Sequence, residues 1–149
     1  MSKKTTQAAE TFRSGFNCSQ SVLSVFAEDF GLTKDSCLRL ASPFGSGIAR
    51  RQETCGAVTG ALMAIGLKYG KGEKGAEADK AHAYTLSQQL IAGFKERHQT
   101  ICCFELLDKL DINTPEGMNE IQKRELFQRK CLIYVQDAVE MTETILNQE

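Results

Sequence analysis

The sequence contains no tryptophan and only two prolines, and its 18 basic residues nearly balance its 19 acidic ones. A net charge of −1 leaves no electrostatic footprint for nucleic acid or for an acidic membrane surface. The start, M-S-K-K-T-T-Q-A-A-E, lacks the apolar core of a signal peptide. No apolar run approaches the roughly 20 residues of a membrane helix. The nearest is Ala61 to Leu67, which Lys68 ends. A cytoplasmic protein without nucleic-acid or membrane partners is therefore expected. No C-x-x-C occurs, which argues against a thioredoxin-like motif or a zinc ribbon, and without C-x-x-C-H there is no c-type haem attachment. No stretch alternates over five or more residues, and no hairpin turn pair stands out.

What the chain does have is helical periodicity and cysteine. Helical patterns run from Thr5 to Arg13, from Cys18 (capped by Asn17) to Phe30, and from the Thr33 cap to about Ala41. Others run from Cys55 to Tyr69, from Ala76 to Arg97, from Cys102 or Cys103 through Leu110, and from about Asn119 to Leu146, the last with a break before Arg129. On the long helix, Ala83, Leu86, Leu90 and Phe94 form the apolar face. With no linker, repeat or low-complexity tract, the expectation is an all-α, single-domain bundle of about six helices over residues 1–149.

Six cysteines, at positions 18, 37, 55, 102, 103 and 131, are the chemical feature. Without a secretion signal a disulfide framework is not expected, so metal, cluster or redox use is the sharper reading. The plain alternative is that several are small buried hydrophobes. Ser42 to Gly70 is the most specific stretch: a glycine-bearing loop with Arg50 and Arg51 enters a helix at a cysteine. Thr54 reads as the N-cap and Cys55 as a first-turn residue, where the helix dipole and the two arginines favour thiolate. Gly56, Gly60 and Ala64 leave one stripe of this helix nearly bare, open to another backbone or to a bound group.

Cys18 and the Cys102–Cys103 pair also read as helix starts, while Cys131 projects from the last helix. Spacing alone leaves two readings open, a shared site and scattered core cysteines. Gly45-Ser46-Gly47 with the arginines can cradle an anion, though a loop spacer is the simpler reading. Glu53 and Glu105 stand two positions from cysteines as candidate proton relays. His82 and His98 read as locally satisfied residues.

The residues N-C-S-Q-S-V around Cys18, G-I-A-R-R-Q-E-T-C-G-A-V-T-G-A around Cys55, C-F-E-L-L from Cys103 and C-L-I-Y-V from Cys131 carry a family likeness. The chain resembles the redox-active proteins named for their C…GCAxxG…C…C cysteine pattern. The order here is C-G-A-V-T-G rather than G-C-A-x-x-G, and Cys103 fits the third position better than Cys102. The resemblance implies a helical protein with four functional cysteines, Cys18, Cys55, Cys103 and Cys131. These are expected both as redox-active residues and as ligands of an iron–sulfur cluster or of zinc or iron, with Gly56 beside them. The family also looks similar to split-Soret cytochromes, which implies an iron centre and a homodimer, without the haem sites. A metal-free dithiol oxidoreductase or sensor is the alternative, and a binding module with inert cysteines the third. Cys37 falls outside the pattern and reads as core. The redox partner is not legible.

Overall fold

The computed structural model describes residues 1–148, so that Glu149, the last residue of the expected domain, lies outside the described residues. Among them there is no strand, only one isolated bridge between Thr54 and Cys102. The all-α expectation holds, with eight α-helices rather than about six. They are α1 Lys3–Arg13, α2 Cys18–Ser24, α3 Lys34–Ala41, α4 Gly56–Tyr69, α5 Glu77–His98, α6 Cys103–Leu106, α7 Pro115–Lys123 and α8 Leu132–Leu146.

The larger count has local causes. The final pattern is two helices, because Thr114 caps a helix with Pro115 at its first position and its hydroxyl accepts from the Gly117 amide at 3.0 Å. Arg124 and Glu125 then end it, Glu125 with φ of 54°. A π-helical turn, Phe127–Cys131, leads into α8. The expected helix to Phe30 stops at Ser24 and resumes as a 3₁₀ turn, Glu28–Phe30, closed by Gly31 in the left-handed region. The helix at Cys103 ends at Leu106 rather than Leu110, because Asp108 and Lys109 are both left-handed.

Helix α4 is the axis. It packs on α2, α5 and α8, and its Ala57, Val58, Ala61, Ala64 and Ile65 are fully buried. A helix apolar nearly all round is stable only when neighbours enclose it. The bare stripe lets α2 approach: a Cβ on Gly60 would stand 2.8 Å from the Ser19 carbonyl oxygen, and one on Gly56 2.9 Å from the Ser19 nitrogen. Helix α1 lies on α8 and α2, and α3 on α2. Leu86, Leu90 and Phe94 of α5 are buried as expected, with Ala83 half-buried. Asp79 caps α5 by accepting from the Ala76 amide at 2.9 Å. Phe26 and Phe94 anchor the core, and burying each is worth about 2–3 kcal/mol. No described helix is long and apolar enough to cross a membrane.

Candidate redox centre

At one end of the bundle, where α2 and α4 begin and α6 and the π-turn end their loops, lies a cavity of about 550 Å³. Cys18, Cys55, Cys103 and Cys131 all line it, and so does Gly56. Cys37 and Cys102 do not. Cys37 is buried in the core on α3, as expected of it. All six thiols are free.

Each wall is fixed by a local rule. Cys18 opens α2 behind a reciprocal cap: the Gln20 amide donates to Asn17 Oδ1 at 2.9 Å and the Asn17 amide to Gln20 Oε1 at 3.0 Å. The same two side chains reach out to the Ser42 and Leu38 carbonyls, which ties the start of α2 to the end of α3.

Cys55 sits differently from the expectation. Thr54 is not the cap, because it is held in an antiparallel bridge with Cys102. Helix α4 starts at Gly56, and Cys55 itself is the N-cap. Its amide donates to the Ile101 carbonyl at 2.7 Å, and the Cys103 amide donates to the Glu53 carbonyl at 2.6 Å. This short ladder sets Cys55 and Cys103 side by side. It also resolves the adjacent pair: Cys103 faces the cavity, while the Cys102 thiol donates to the Gln52 carbonyl at 3.4 Å. Cys131 ends the π-turn, a geometry that re-aims side chains and recurs at functional sites.

The loop before Cys55 is wound the wrong way for L-residues. Ser46, Gly47, Ile48, Ala49 and Arg50 all have φ between 50° and 69°, and Gln52 has 55°. Each non-glycine residue there costs about 1–2 kcal/mol. Backbone bonds hold the turn, Gln52 N to Ser46 O at 3.0 Å and Glu53 N to Gly47 O at 2.8 Å. Side chains lock it across to the segment after α6. The Gln52 amide group, buried, donates to the Leu110 carbonyl at 2.9 Å and accepts from the Ile112 amide at 2.9 Å. The Asn113 side chain donates to the Arg50 carbonyl at 2.8 Å, and the Arg50 guanidinium donates to Asn113 Oδ1 and to the Ile112 carbonyl.

The electrostatics correct a second expectation. A helix-start Cys55 was expected to favour thiolate. Instead the neighbouring Cys18 thiol and burial push it well above the ordinary thiol range, against the pull of the Ala57 and Val58 amides. Cys18 is also held up, by the Cys131 thiol and by burial, with Cys55 partly opposing. Burial first, then the neighbouring Cys55 and Cys102, raises Cys103 to about 12. Cys18, Cys55 and Cys103 therefore hold their protons unless a cation replaces them or a disulfide forms.

Of the remaining candidates, Ser46, Gly47 and Arg50 of the glycine-bearing loop line the cavity, while Gly45, Arg51, the two glutamates and the two histidines lie outside it. Glu53 pairs with Arg51 at 3.3 Å, and Glu105 accepts from the Thr100 hydroxyl at 2.7 Å. His98 pairs with Asp137 at 2.7 Å, and His82 stands edge-on to Tyr69. The sequence reading did not pick out Gln52, Tyr134, Phe127 or Arg13. Gln52 is the lock just described, while Tyr134, Phe127 and Arg13 line the cavity. Tyr134 lies three residues after Cys131, on the same helical face, and its hydroxyl donates to the Leu106 carbonyl at 2.8 Å. That spacing was a usable signal. Among the described residues, no group of three or more His, Cys, Asp or Glu is arranged to hold a metal ion.

A helical bundle with four thiols lining one cavity defines the chain as a four-cysteine redox-type protein. The chain belongs to the family described as "Putative redox-active protein (C_GCAxxG_C_C)", whose sequence model matches residues 16–145. No curated protein and no solved structure matches it significantly. None of these comparisons shows the expected likeness to split-Soret cytochromes.

Proposed function

We propose that the cavity is a redox centre in which Cys18, Cys55, Cys103 and Cys131 ligate an iron–sulfur cluster. The observation that carries this is the sorting of the cysteines: these four line one cavity while Cys37 and Cys102 face elsewhere. The donor set suits the group. Four thiols from four separate segments, with no carboxylate or histidine lining the cavity, make a soft all-sulfur site. A bound cluster would supply one-electron transfer and remove the conflict among the thiols by taking them as thiolates. The chain's own part is to hold the four sulfurs at the capped start of α2, beside the Thr54–Cys102 bridge and on the π-turn, and to keep the site apolar through Leu106, Ile112 and Phe127.

The second reading is a metal-free dithiol, favoured by the interaction of the Cys18 thiol with those of Cys55 and Cys131. There two thiols give up two protons and two electrons to a disulfide acceptor, which is reduced to two thiols. Protein purified without oxygen separates the readings. Bound iron and acid-labile sulfide with visible absorbance are expected, lost in serine variants of Cys18, Cys55, Cys103 and Cys131 and kept in Cys37→Ser and Cys102→Ser. Colourless, iron-free protein that forms one disulfide on mild oxidation would sink the cluster and leave the dithiol. Electron-transfer partner, homodimer and cytoplasmic location remain expectations from the sequence.

A further inference from the structure

We propose that the same cavity binds a small organic anion with an apolar body, its negative charge held by Arg50 and Arg13 at the rim. Three observations carry this. The first is size, since about 550 Å³ lies within the roughly 300–1,000 Å³ of small-molecule sites. The second is the wall beyond the cysteines, which is largely hydrophobic and includes Phe12, Phe16, Ile112, Met118 and Phe127. Such a wall takes the apolar body of a ligand and pins its polar end by few groups.

The third observation is charge. Among the described residues, Arg13 and Arg50 are the only charged ones lining the cavity, and both are cationic. Among the described residues neither is in an ion pair, whereas the adjacent Arg51 is paired with Glu53. Arg50 is also pre-set. Its Nε bonds Asn113 and one Nη bonds the Ile112 carbonyl, and its own carbonyl accepts from Asn113, within the left-handed turn. That leaves three of its five N–H donors for a ligand. A planar cation fixed by the segment after α6 recognises a carboxylate or sulfonate at low entropic cost. Strained backbone of this kind persists where the surroundings over-determine it, and functional sites are where it concentrates. The inference stands on the cavity and its charges, whatever the thiols hold.

The test is equilibrium dialysis of the full chain, purified without oxygen, against two probes of similar aromatic body. One is 8-anilinonaphthalene-1-sulfonate, and the other is the uncharged N-phenyl-1-naphthylamine. Saturable binding of one sulfonate per chain is expected, about tenfold tighter than the neutral probe. Arg50→Gln should weaken the sulfonate about tenfold and leave the neutral probe unchanged, as expected from losing a charge-assisted hydrogen bond. Arg13→Gln should do the same to a lesser degree. No saturable binding, equal affinity for both probes, or affinities untouched by both variants would overturn the proposal. Should Arg50→Gln fail to fold by circular dichroism, Arg13→Gln, which makes no internal hydrogen bond in the structure, decides alone. Iron and sulfide are measured on the same samples. A variant that keeps both while losing the sulfonate isolates the anion site from the cluster.

Discussion

The two ends of helix α4 obey different rules. Around its middle and C-terminal half the backbone is ordinary, and stability comes from close helix packing, with Ala61, Ala64 and Ile65 wholly buried. At its N-terminus the chain does what sequences usually avoid. Five non-glycine residues of one turn are left-handed, a π-turn replaces α-helix, and four thiols share one cavity. The first region minimises free energy locally. The second spends some of it to hold the four thiols in place, which is the expected signature of function rather than of folding.

The largest expected effect tests the thiols themselves. In reduced, metal-free protein Cys103, raised from 9.0 to about 12, should carry about a thousandfold less thiolate near pH 8 than an ordinary cysteine. Its alkylation, followed by mass spectrometry, should be slow and should rise about tenfold per pH unit. The linked stability has a definite sign. The folded state holds the proton more tightly than the unfolded one, so this contribution is complete below pH 9 and is lost as pH climbs towards 12. Urea midpoints that hold steady from pH 8 to 11 would show the thiol is not buried as described.

A second pair of variants separates the two kinds of glycine on α4. A Cβ at Gly60 meets the Ser19 backbone at 2.8 Å, whereas Gly66 has nothing within 4 Å. Gly60→Ala should cost about 1–3 kcal/mol by forcing α2 away. Gly66→Ala should gain about 0.5–1 kcal/mol from helix propensity. Similar effects at the two positions would mean that the stripe is not what seats α2.

How much of this was written in the sequence follows the same division. Ordinary helices announced themselves: Asn17 and Thr33 cap as expected, and Leu86, Leu90 and Phe94 face inward. Thr114-Pro115 was a legible helix start, ahead of the one expected near Asn119. At the cysteine end the outcome depended on partners distant in the chain. Thr54 is a good cap by composition, but its backbone pairs with Cys102, so the cap moves to Cys55. Nothing local marks Ile48, Ala49 or Arg50 as left-handed, since the bonds that pay for it come from Leu110 to Asn113. That these four cysteines line one cavity was legible only as a family pattern. At Cys55 the neighbouring Cys18 thiol and burial raise the thiol against the pull of the helix-start amides, an effect of a partner distant in the chain.

The smallest effect is the most direct test of the contrast, because one substitution should have opposite signs in the two regions. Ala49 is exposed with φ of 50°, a conformation that strains any Cβ and suits glycine. Ala49→Gly should relieve up to about 1 kcal/mol of that strain, offset in part by the greater freedom glycine gives the unfolded chain. The net change should lie between zero and a slight gain. Ala61→Gly removes a fully buried methyl from ordinary helix and should cost about 1–2 kcal/mol. Urea unfolding of both variants measures the difference. If Ala49→Gly destabilises as Ala61→Gly does, the turn is not strained in solution, and the loop that positions Arg50 and Cys55 is better described as ordinary backbone. If it is neutral or stabilising, the alanine at 49 is a residue that stability alone would not have chosen, and the cavity's geometry supplies the reason it is tolerated.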